Sequence, residues 1–112
     1  MAKLPDSVIT NILTLQRRLI ECIDATTAME FRLFERLGET TETSPELEEL
    51  QSIQERLMSP YSRLHALLWR IAKSQPTAPD DMLNLLYRSI EGGEASLDAS
   101  IASLKEIQRN WN

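Results

Sequence analysis

The stretch VITNILTLQRRLIECIDATTAMEFRLFERLG, residues 8–38, decides the fold. Within it Val8, Ile12, Leu15, Leu19, Cys22, Thr26, Met29 and Leu33 follow one another in alternating steps of four and three residues. An α-helix brings such a series onto one face, and the heptad repeat implies gentle left-handed coiling about neighbouring helices. Asp6 or Ser7 can cap the start by accepting a backbone N–H, and Gly38 can take the left-handed conformation that stops a helix. The reading is a helix over 7–37. Asp24, Thr26 and Thr27 are mediocre helix formers in its middle and allow a local break there.

Outward from this helix, residues 38–44 form a polar loop. Ser44 can cap a second helix that has Pro45 at its first position, and Glu46, Glu48 and Glu49 suit the positive end of its dipole. Its series is Leu47, Leu50, Gln54, Leu57, Tyr61, Leu64, Leu68 and Ile71. Pro60 interrupts the series, yet the phase is the same on both sides. That favours one helix over 45–74, kinked where Pro60 loses a hydrogen bond. Gln75-Pro76-Thr77 then links to a third helix, with Thr77 and Asp80 at capping-box spacing. Leu83, Leu86, Ile90, Gly93, Leu97, Ser100, Leu104, Ile107 and Trp111 continue through Gly92-Gly93. Two glycines inside a helix cost about 2 kcal/mol against alanine, but the unbroken phase favours one helix over 78–109. If Gly92-Gly93 is a loop instead, the chain is a four-helix bundle.

Three helices of this length, each roughly 45 Å at 1.5 Å per residue, joined by short links, make an elongated antiparallel three-helix bundle. Residues 1–112 are read as one such all-α domain, similar in outline to a spectrin repeat in architecture alone. Setting Leu37 level with Pro45 and Ile71 level with Asp81 brings Cys22, Pro60 and Gly92 to one height. On that alignment Gly93 and Cys22 make room for the Tyr61 ring.

Composition agrees with helices. Seventeen leucines stand against one valine among 112 residues, and β-branched residues favour strands. Three glycines are too few for a turn-rich sandwich or a phosphate-cradling loop. The net charge of −5 and the lack of clustered Lys and Arg argue against nucleic acid and anionic membrane surfaces. No segment approaches the ~20 apolar residues of a membrane helix. Residues 1–6 lack a signal-peptide core, one cysteine allows no internal disulfide, and the cytoplasm is the default location.

Chemistry finds little purchase. No catalytic, metal or cofactor-binding residue is assigned. His65, the only histidine, lacks the Glu-x-x-His pairing of a bundle metal centre. His65-Ala66-Leu67 partly resembles the motif of histidine phosphotransfer domains. Leu68 and Trp69 replace its Lys and Gly, which departs from what that resemblance requires. Cys22 sits in a seam and reads as a small hydrophobe. The carboxylates of residues 39–55 (Glu39, Glu42, Glu46, Glu48, Glu49 and Glu55) form the densest charge feature, a solvated helix start or a docking surface for a basic partner.

The first helix carries more apolar residues than one bundle needs. Ile9, Ile23 and Leu37 occupy one flank. Leu13, Ile20 and Phe34 form a further row, Phe31 points further out, and Trp69 of the second helix faces away from the core. A continuous apolar row marks an interface more often than scattered residues do. Leu13, Ile20, Phe31, Phe34 and Trp69 are therefore the expected partner-binding residues, and the partner is another protein, a second copy of the chain included. The expected role is a non-enzymatic adaptor or regulatory subunit. The alternative is a small acidic chaperone for export or assembly that masks a client's apolar segment.

Overall fold

The computed structural model describes residues 4–111; Met1, Ala2 and Lys3, part of the leading stretch read for a signal, lie outside them, as does Asn112. Helix α1 spans Asp6–Leu37, α2 Ser44–Lys73 and α3 Asp80–Trp111. The expected spans 7–37, 45–74 and 78–109 hold to within two residues at every end. Helix α2 runs through Pro60 and α3 through Gly92-Gly93, so the four-helix alternative is not realised. Each helix packs against both others, and the described residues contain no strand. The rod measures 57 × 19 × 18 Å with a radius of gyration of 17.3 Å, against about 13 Å for a compact domain of this length.

The core follows the α1 series from Ile12 to Leu33, with Val8 half-buried at its start. On α2 the centre of the strip is Ile53, Pro60 and Leu67, not Gln54, Tyr61 and Leu68, which are half-buried beside it. Both sets satisfy the same spacing. A helix held between two neighbours buries a strip wider than a two-position seam, and the more apolar set takes the middle. On α3, Ser89 joins the predicted seam, and its hydroxyl donates to the Leu85 carbonyl at 2.7 Å. Leu83 and Trp111 stay half-buried.

The helix starts differ from the sequence expectation. No side chain caps α1; the Pro5 carbonyl accepts the Val8 and Ile9 N–H groups at 3.0 and 3.2 Å. Pro79 does the same for Met82 and Leu83 ahead of α3, and Thr77 lies outside that helix. Thr43, not Ser44, flanks α2. Its buried hydroxyl turns back into the loop, donating to the Gly38 carbonyl at 2.8 Å and accepting the Thr40 N–H at 2.9 Å. Gly38 has φ 67° and ψ −174°, a positive-φ conformation that glycine adopts without strain but not the left-handed helical stop expected of it.

The mid-height alignment holds for one pair of helices and fails for the other. A Cβ at Gly93 would lie 3.5 Å from Pro60 Cβ and 3.2 Å from Leu15 Cδ2. Pro60 and Gly93 thus share a level, as expected. Helix α1 contributes Leu15 there instead of Cys22, and the α2 atom nearest the Gly93 Cβ position belongs to Pro60 instead of Tyr61. Leu15 precedes Cys22 by one heptad. The connection 38–43 folds back, so Ser44 lines the same groove as Phe34, and α2 starts beside the last turn of α1.

Candidate functional site

The heptad spacing sorts the outer side of α1 into two parallel files. Ile9, Gln16, Ile23, Glu30 and Leu37 recur every seven residues on the flank, and Leu13, Ile20, Thr27 and Phe34 recur in the next file outward. Leu13, Ile20, Phe31, Phe34 and Trp69, the sequence candidates, are each half to two-thirds exposed. Phe31 and Phe34 open onto a groove of about 470 Å³ between α1 and α2. Thr27 and Glu30 complete its α1 wall, Ser44, Leu47, Glu48 and Gln51 form the α2 wall, and Glu39 closes the loop end.

This groove fixes which side of α2 faces the apolar file. Met58 lies one heptad beyond Gln51, and Trp69 three heptads beyond Glu48, so both share the flank that lines the groove. Thr27 and Gln51 both line it, on opposite walls. Because the helices are antiparallel, Met58 and then Trp69 run along α2 in the direction in which Ile20 and then Leu13 run along α1. The structure joins Phe31 and Phe34 to the acidic surface at Glu39 and Glu48. It sets Leu13, Ile20 and Trp69 along the same face toward the far end of the rod.

Met58 and Glu30 belong to this face and were not singled out from the sequence. Their signals were present: Met58 by its heptad relation to Gln51, and Glu30 by interrupting the flank Ile9, Ile23, Leu37. Leu85 and Tyr87 are also exposed, but they sit on α3, away from the groove.

Charge along the face is divided. Glu30, Glu39 and Glu48 line the groove, and Glu55 follows Glu48 by one heptad. Toward the other end stand Arg17 and Lys73, whose Nζ lies 5.6 Å above the Trp69 ring. Arg17 pairs with Glu21 at 2.9 Å in an open i,i+4 bridge, an arrangement worth little in water. Glu49 turns to Arg56 at 3.4 Å. Two polar atoms on the facing flanks, Glu30 Oε2 and Gln54 Nε2, are shut off from solvent without a hydrogen-bond partner.

Cys22 is buried, and burial pushes its thiol up from the ordinary range. It therefore stays protonated and acts as packing. His65 is exposed. Among the described residues no group of three or more His, Cys, Asp or Glu could hold a metal ion, and no helix is long and apolar enough to cross a membrane. Compared with known protein families, with curated proteins and with solved structures, the chain finds no match in any of the three.

Proposed function

We propose that the chain is a non-enzymatic protein–protein interaction module, an adaptor or regulatory subunit, that works by burying the α1/α2 face of its rod. One observation carries the reading: large apolar side chains on two helices share one exposed face, and that face ends in a groove where two phenylalanines stand beside three carboxylates. Aromatic anchors set in a polar surround are the usual energetic centre of a protein interface. The carboxylates add orientation and speed of encounter more than affinity.

Capture of partners from native extract tests this. The wild-type chain is expected to retain a partner that Phe34→Asp loses, with the helical circular dichroism signal and melting unchanged because Phe34 is exposed. Retention of the same partners by the variant would reject the face. The openness of the groove favours a second reading, a chaperone that takes a client's apolar side chains between Phe31, Phe34 and Leu47. Under it, an unstructured apolar peptide competes for binding; under the first, only a folded partner does.

A further inference from the structure

We infer that the occupant of the α1/α2 face is a second copy of the chain, packed antiparallel about a two-fold axis between Ile20 and Thr27. This rests on the interaction-module reading and names the partner.

The apolar file overlays on itself when reversed. In an antiparallel pair Leu13 of one copy meets Phe34 of the other, and Ile20 meets Thr27. The large residues at the two ends cover each other, and the one small polar member of the file lies opposite an isoleucine.

Orientation follows from the division of charge along the face. A two-fold axis across the rods sets the end bearing Glu30, Glu39 and Glu48 against the end bearing Arg17 and Lys73. An axis along the rods would set the carboxylates of one copy against those of the other, which like-charge repulsion opposes. Area is adequate. At roughly 100 Å² of exposed surface apiece, Leu13, Ile20, Phe31, Phe34, Met58 and Trp69 offer about 600 Å² per copy, most of the ~800 Å² per partner that a stable interface buries.

The purified full chain tests the proposal. Sedimentation should give a dimer that Phe34→Asp weakens at least a hundredfold. In a Cys22→Ser background, a chain carrying both Leu13→Cys and Phe34→Cys should oxidise to a covalent dimer, and neither cysteine alone should. The two positions lie ~30 Å apart along one helix, so an internal bond cannot mimic the result. A wild-type monomer at high concentration overturns the proposal. So does cross-linking of Leu13→Cys to its own copy. If the chain is monomeric but Phe34→Asp still abolishes partner capture, self-association alone is overturned. If capture also ignores Phe34, the interaction face falls with it.

Discussion

At the scale of single residues, adjacent glycines separate two physical effects. Gly92 and Gly93 sit in the same turn of α3, and each costs about 1 kcal/mol against alanine from backbone entropy. Gly92 has nothing within 4 Å of the site a Cβ would take, whereas at Gly93 that atom would press on Leu15 at 3.2 Å and on Pro60 at 3.5 Å. Gly92→Ala is therefore expected to stabilise the fold by about 1 kcal/mol. Gly93→Ala gains the same propensity but overpacks a core in which Leu15 is buried and the Pro60 ring cannot rotate away, for a net loss of about 1 kcal/mol. Urea denaturation of the two variants measures the difference. Equal midpoints would mean that close packing does not require glycine at 93. The need for a small residue at 93 was legible in the sequence, since it falls in the seam series. Its neighbours were not, because spacing alone does not say which atoms come across from the other helices.

Whole elements were the most legible level. The α1 and α3 seams, the passage of α2 through Pro60 and of α3 through Gly92-Gly93, and the outward placement of Phe31, Phe34 and Trp69 all follow from a phase that survives each interruption. Two things escaped, for a common reason. A heptad pattern is unchanged by a slip of seven residues, so it identifies faces but not heights, and Leu15 could stand where Cys22 was expected. The same pattern fits either of two neighbouring files, which is how Gln54, Tyr61 and Leu68 were taken for the centre of α2 in place of Ile53, Pro60 and Leu67. The fold-back of the connection sets the height, and it is held by a hydroxyl that spacing cannot weigh. Thr43 donates to Gly38 and accepts from Thr40. Thr43→Val keeps the shape and leaves both groups without their partner in a part-buried loop. A loss of about 2 kcal/mol is expected, read as a lower urea midpoint with unchanged slope. An unchanged midpoint would mean that the loop is not held by this residue.

For the whole molecule, the question is what a thin rod gains from company. A domain this narrow has a high ratio of surface to core, so burial on one more side adds proportionately more stability than it would to a sphere. Only α1 and α2 present a long apolar face, while the exposed Leu85 and Tyr87 of α3 are two residues apart and point to different sides of a helix. Association should thus proceed through one face and stop at two copies instead of growing into filaments, as an isologous contact does. The shape of the product is fixed by where the file sits. Its midpoint, between Ile20 and Thr27, lies about two residues past the middle of α1, so antiparallel rods overlap almost completely and slip by only ~6 Å at 1.5 Å per residue. Solution X-ray scattering should show a dimer whose longest dimension exceeds that of one rod by roughly this amount and whose cross-section is clearly thicker. A longest dimension close to twice the 57 Å of the single rod would instead show copies joined end to end, with the apolar face left bare.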